Sequence, residues 1–166
     1  MIGDGCVIGR GAYIGSGVTV GAASKIQNYA LVYEPAVLER GVFIGPGAVL
    51  TNDTYPRAVS PSGEILSADD WHPVGVTVRE GASIGARAVC VAPVEIGAWS
   101  LVAAGSVVTR DVPQHALVAG TPARFVAWVG RDGRRLEHDG DEWVSPSSGE
   151  RYLLRDGVLT LVEDAP

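Results

Sequence analysis

The sequence is short of several things, and each shortage excludes something. It has two cysteines, three histidines and one methionine in 166 residues. Cys6 and Cys90 stand far apart and share no metal-ligand spacing. Both are expected to be buried small apolar residues. No apolar run approaches the ~20 residues of a membrane-spanning helix. No charged, apolar and cleavage regions follow one another at the N-terminus, so no signal peptide and no membrane contact are expected, and a cytoplasmic location is the default. Cations are scarce: 13 Lys and Arg against 19 Asp and Glu, a net charge of −6. That balance argues against a nucleic-acid surface. It leaves room for a small anionic ligand held by a few local cations.

Glycine is plentiful, 22 residues with 10 prolines beside it. Together they fall below the ~25–30% that signals disorder, and here the glycines are periodic. Aliphatic anchors recur every sixth residue at Ile2, Ile8, Ile14, Val20, Ile26, Val32, Leu38, Ile44 and Leu50, and again at Val78, Ile84, Cys90, Ile96, Val102 and Val108. The fourth residue after an anchor is small or β-branched almost throughout, as at Cys6, Ala30, Ala48, Ala88 and Ser106. A helix would place apolar residues three and four apart; a strict six with turn glycines describes short strands joined at tight corners. The expected fold is all-β, a solenoid whose anchors point inward and stack coil upon coil.

Three stretches depart from this regularity. In KIQNYALVYE, Lys25 to Glu34, Gln27 and Tyr33 replace the glycine that follows an anchor. Pro56 to Thr77 breaks the register with prolines, serines, acids, one Trp and one His; loops of this length inside a compact domain are often functional. After the exit run PQHALVAGTPARFVAWVG, residues 130–166 alternate in strand fashion around Asp-Gly pairs at 132–133, 139–140 and 156–157. His115, in the exit run, is expected to be a surface or capping residue. The expected organisation is a β-helix over 1–113 with the loop 56–77 inserted, an exit segment 114–129, and a small ribbon 130–166.

The hexads resemble those of the hexapeptide-repeat acyltransferases. The resemblance implies a left-handed parallel β-helix of about five coils and homotrimers with sites between subunits. Within that family the chain is similar to the N-acetyltransferases of nucleotide-linked 3-amino sugars. The matching runs are KIQNYALVYEPAVLERGVFIGPGAVLTND at 25–53 with YPR at 55–57, REGASIGARA at 79–88, and RDVPQHALVAGTPAR at 110–124. Members usually begin with further coils carrying a Trp-His pair, whereas Met1 enters mid-repeat at Ile2, so an exposed first edge is expected. The tail resembles a zinc ribbon with Ser145 and Ser148 at cysteine places and Gly130 and Asp132 near an earlier pair. Serine and glycine are inadequate zinc ligands, so no metal is expected. Trp128, Trp143, Tyr152, Leu153 and Leu154 would then hold the ribbon.

The resemblance implies that Lys25, Gln27, Asn28, Tyr33, Glu34, Asp53 and Arg57 line the cleft for a nucleotide-linked amino sugar, UDP or dTDP. Arg57 suits the diphosphate, since a guanidinium fork pairs with phosphate oxygens. Structural alternatives stay open: asparagine ladders, a Glu34–Lys25 ion pair, a solvated Arg57. Acetyl-CoA, the implied co-substrate, would run past Ala86, Ala104 and Gly105, with Arg110 and Arg124 at its phosphates. The implied reaction is amine attack on the thioester. Asn52 is the expected oxyanion-stabilising residue, and His72 the one histidine able to reach the cleft, as a binder or lid rather than an obligate base. A different amine acceptor, a γ-type carbonic anhydrase and a non-catalytic scaffold are the rival readings. The second needs three clustered histidines, which His72, His115 and His138 do not supply by position.

Overall fold

The computed structural model describes residues 1–162; residues 163–166 of the expected ribbon lie outside them. Among the described residues all regular structure is β except one 3-10 turn, Ala68–Asp70. The hexads form a parallel solenoid with three faces. On the first, Val7–Ile8, Lys25–Ile26, Phe43–Ile44, Ser83–Ile84, Leu101–Val102 and Ala116–Gly120 pair in that order. On the second, Tyr13–Ile14, Leu31–Val32, Val49–Leu50, Val89–Cys90 and Val107–Val108 do the same. The third carries Thr19–Val20, Val37–Leu38, Val76–Val78 and Val94–Ile96, extended by bridges Ile2–Val20 and Ile96–Val112. Three hexads therefore make one coil, and there are about six turns. The extra turn comes from the exit segment, where Leu117 and Val118 pair onto Leu101 and Val102 instead of leaving the prism at once.

The period explains the core. Alternate residues of a strand face opposite ways, so one anchor per face points inward. Ile26, Val32, Leu38, Ile44, Leu50 and Ile84 are buried, and Ala30, Ala48 and Ala88 fill the narrow corners between them. Burying each large anchor stabilises the fold by about 1.5–3 kcal/mol. The first coil is the exception: Ile8 is 42% exposed because no coil among the described residues covers it. For the same reason Cys6 is only half-buried, its thiol donating to Gly21 O at 3.3 Å. The expectation that both cysteines are buried thus holds for Cys90, whose thiol pKa is pushed up to about 12 by burial, and fails for Cys6.

At the other end the chain is capped. Ala116–Gly120 and Ala123–Trp128 form a hairpin, and Glu137–Asp139, Glu142–Val144, Arg151–Arg155 and Val158–Leu161 form an antiparallel sheet. Asp156 and Gly157 both take positive φ, 51° and 78°, as a tight two-residue hairpin turn demands. Tyr152 is fully buried. Its hydroxyl accepts from Arg131 N–H at 3.1 Å and donates to Glu150 at 2.8 Å. Gln114 Nε2 donates to Leu159 O, joining ribbon to prism. His115 is buried, not a surface residue: its ring lies 5.0 Å from that of Tyr152, with Nδ1 3.0 Å from Val129 O. Leu154 is exposed, and Leu159 and Leu136 occupy the interior instead. At the place of the zinc knuckles, the Asp132 carboxylate accepts from the Ser145 and Ser147 hydroxyls, and Ser148 N–H donates to Ser145 Oγ at 3.2 Å. Hydrogen bonds tie the two turns together there.

Candidate functional site at the second corner

The three faces meet at three corners. The first corner, between the first and second faces, stacks Arg10–Gly11, Asn28–Tyr29, Pro46–Gly47, Ala86–Arg87 and Ala104–Gly105, each turn donating to the one below. The second corner, between the second and third faces, stacks Ser16–Gly17 and Glu34–Pro35 and then opens at Asn52 into the long loop. The loop's ends are pinned there. Val74 N–H donates to Asn52 O at 3.0 Å, and Thr51 Oγ1 accepts Ala92 N–H at 3.0 Å. A Cβ at Gly75 would meet Pro35 O at 2.8 Å, so only glycine lets the chain re-enter so close to the coil beneath.

Within the loop, SADDWHP sets the local structure. Ser67 caps Ala68–Asp70, and the Asp70 carboxylate accepts both the backbone N–H and the hydroxyl of Ser67, in a reciprocal capping box. Pro73 ends the turn. Trp71 and His72 thereby come to face Asp53–Arg57 across a cavity of about 670 Å³. The Asp70 carboxyl is held below its usual range, first by the Ser67 backbone N–H, then by its hydroxyl, with His72 adding a favourable charge. Asp53 Oδ1 accepts Tyr55 N–H at 2.9 Å. Arg57 donates to its neighbour's carbonyl, Pro56 O, at 2.8 Å, and among the described residues it has no carboxylate partner. The two acids are engaged by the loop's own donors, and the guanidinium is left to the cavity.

The residues singled out in the sequence divide between two corners. Gln27 and Asn28 lie at the first, in line with Ala86, Ala104 and Gly105 further along it, and Lys25 lies on the strand of the first face that leads to it. Tyr33, Glu34, Asn52, Asp53, Arg57 and His72 lie at or above the second, and Arg110 lies on the same edge towards the ribbon. Arg124 is on the exposed exit hairpin, donating to Ala123 O. A five-residue strand path of about 16 Å separates the corners, so one chain does not bring the two sets together. Asn28 has a structural role, since its Oδ1 accepts Arg10 N–H at 2.9 Å. The allowed Glu34–Lys25 ion pair is not formed. Glu34 instead folds its carboxylate over Gly15, and its enclosed Oε2 has no hydrogen-bond partner among the described residues. Tyr55, Ser67, Asp70 and Trp71 line the cavity and were not picked out as site residues, although an aromatic residue in a loop rich in proline, serine and acids was a usable signal. Tyr13, also missed, packs its ring 5.0 Å from Tyr33.

Comparison with known proteins points the same way as the repeat. The family described as the hexapeptide repeat of succinyl-transferase matches residues 1–28 and 75–110. A dTDP-3-amino-3,6-dideoxy-alpha-D-galactopyranose 3-N-acetyltransferase of Aneurinibacillus thermoaerophilus is 43% identical over 83 residues, covering 50% of this chain and 43% of the relative. The serine acetyltransferase of Escherichia coli K12 is 37% identical over 100 residues, covering 60% of this chain and 36% of the relative. This chain thus spans less than half the length of either. Among solved structures, a hexapeptide-repeat-containing acetyltransferase of Vibrio cholerae, complexed with acetyl-CoA, superposes with a TM-score of 0.56 at 24% identity, over 78% of this chain and 70% of that one. Repeat, solenoid and relatives agree on what the chain is similar to: hexapeptide repeats match over residues 1–28 and 75–110, and the similar proteins are acetyltransferases.

Proposed function

We propose that the protein transfers an acetyl group from acetyl-CoA to the 3-amino group of a nucleotide-linked amino sugar, in clefts between the subunits of a trimer. The observation that carries this reading is the second corner. Asn52 and Glu34 stand there, and the next residue, Asp53, lines a loop cavity together with Arg57, which has no carboxylate partner among the described residues. The Aneurinibacillus relative, named for action on a dTDP-linked 3-amino sugar, supports the acceptor class. The Vibrio structure, named as an acetyl-CoA complex, supports the donor.

Assembly completes the site in this reading. The second face turns Leu31, Val49, Val89 and Val107 outward, an apolar column between the two corners. A head-to-tail contact that closes at three copies would cover it. It would also set the first corner of one copy, with Ala86, Ala104 and Gly105 for the pantetheine of acetyl-CoA, beside the second corner of the next. Arg124 and Arg110 supply cations for the coenzyme phosphates.

In the cleft, the neutral sugar amine attacks the thioester carbonyl and the C–N bond forms. The oxyanion is stabilised by the Asn52 amide and by backbone N–H groups. The C–S bond then breaks, and the departing thiolate takes the proton that nitrogen sheds. An amine needs less activation than a hydroxyl, so His72, on the loop wall, binds and closes instead of serving as an obligate base.

The serine acetyltransferase similarity favours a second reading, an amino-acid acceptor. Acetyl transfer to dTDP- and UDP-linked 3-amino-6-deoxy sugars, with L-serine in parallel, separates the two. Turnover of serine alone would remove the nucleotide-sugar reading. A monomer in sedimentation, still active, would remove the intersubunit cleft.

A further inference from the structure

The loop cavity contains more than the charges the reaction needs. Trp71 and Tyr55 both line it, from its two walls. No core covers either ring: Trp71 remains 36% and Tyr55 85% exposed. The backbone that carries Trp71 is nevertheless held in place, because the Ser67–Asp70 capping box fixes the turn before it and the backbone N–H of Trp71 donates to Ala68 O at 3.3 Å. An indole with an open face on an ordered backbone, a guanidinium without a carboxylate partner among the described residues and an imidazole share one concavity of about 670 Å³, inside the ~300–1,000 Å³ range of small-molecule sites. An aromatic ring joined to an anion matches that set. A nucleoside diphosphate has both parts.

We propose that Trp71 is the platform on which the nucleobase of the acceptor stacks, with Tyr55 bordering the same space. This inference rests on the nucleotide-sugar reading above. It gives the acceptor a direction: sugar at Asn52 on the corner, diphosphate at Arg57, base against Trp71 on the loop. Stacking tolerates any base, because each has a π face. Trp71 therefore supplies affinity for the nucleoside, and choice between thymine and uracil falls to other contacts.

The test is calorimetric titration of the full chain with dTDP, UDP, inorganic pyrophosphate and acetyl-CoA, for wild type, Trp71→Ala, Trp71→Phe and Arg57→Ala. Trp71→Ala is expected to weaken the preferred nucleotide about tenfold, and Trp71→Phe by much less, since phenylalanine keeps a stacking face. Neither should change pyrophosphate or acetyl-CoA binding, and acetyl-CoA serves as the control for folding. Arg57→Ala should weaken nucleotide and pyrophosphate alike. Fluorescence gives a second readout. Trp71 alone of the four tryptophans lines this cavity, so nucleotide should quench wild-type emission and leave Trp71→Phe unaffected. If nucleotide binds wild type and Trp71→Ala equally, or if Trp71→Ala weakens pyrophosphate as much as nucleotide, the stacking role is wrong while the nucleotide-sugar reading stands. If acetyl-CoA binds wild type and neither nucleotide does, the nucleotide-sugar reading fails and the platform with it.

Discussion

From the second coil onward the anchors of the prism are sealed, Ile26, Ile44 and Ile84 among them, while between Thr51 and Gly75 no residue is buried. The two regions are stabilised by different means. The prism has inward aliphatic stacks and continuous parallel ladders. The loop has side chain to backbone hydrogen bonds, Ser67 with Asp70 and Asp53 with Tyr55, and a backbone pin from Val74 to Asn52. One consequence is a division of labour. Changes in the prism should alter stability, and changes in the loop should alter ligand binding or rate, with Asn52 at the junction.

The strongest way to test that division is from the prism side. Ile84→Ala leaves a cavity in the middle of the stack and should cost about 2–5 kcal/mol, read from urea unfolding. A cost below about 1 kcal/mol would mean the coils collapse around the gap and the contrast is overstated. Next is the junction. Asn52→Ala should lower kcat about 10²–10³-fold, as loss of an oxyanion donor does elsewhere, with acetyl-CoA affinity unchanged. An unchanged kcat with a weakened acceptor would reduce Asn52 to a binding residue.

A smaller effect separates prism from ribbon. The His115 pKa lies below its usual 6.5, first because burial disfavours the charged ring, opposed by the hydrogen bond to Val129 O; Arg131 lowers it further and Glu150 raises it. A folded value below the unfolded one means the unfolded chain binds more protons in that window. Ribbon stability should therefore be full above about pH 6.5 and fall as pH drops through the folded value. The carboxyls of Asp132 and Glu150, lowered chiefly by hydrogen bonds from Ser147 and Arg131, add their loss only at more acid pH. Amide exchange at Tyr152 and Leu159 between pH 7 and 5 reports this, and His115→Gln should flatten it; a slope that survives the substitution assigns the effect elsewhere. The smallest expected change is in the loop. His72→Ala should leave unfolding within about 0.5 kcal/mol of wild type and lower kcat only modestly. Abolished turnover with both substrates still bound would make His72 the base.

The strands, the corners and the buried stacks were legible in the sequence because each depends on a local period. Six residues make one strand and one corner whatever lies elsewhere. The capping box in SADDWHP is equally local. The ends of the prism were read less well. Cys6 and Ile8 have the same pattern as buried residues further on and are left open because nothing among the described residues covers them. His115 sits on a corner that would face solvent had the ribbon not folded back over it. Burial at an end is set by what packs on top, which a period does not encode.

The candidate site shows the same limit. The polar residues of KIQNYALVYE read as one group because they are adjacent in sequence, yet a corner turns every six residues, so Asn28 and Glu34 lie at different edges of one face. Conversely Arg57 and His72, far apart in sequence, share one cavity because Asn52 and Val74 clasp the loop at its base. The sequence by itself determined the repeat, and with it the strands and the inward anchors, since those follow from alternation and steric fit within a few residues; three hexads to a coil was implied only by the family resemblance. The tertiary structure alone decided which corner each side chain occupies relative to the loop, which coil stays uncovered and where the ribbon docks. These are contacts between distant segments, and their energies depend on distance in space and not on position along the chain.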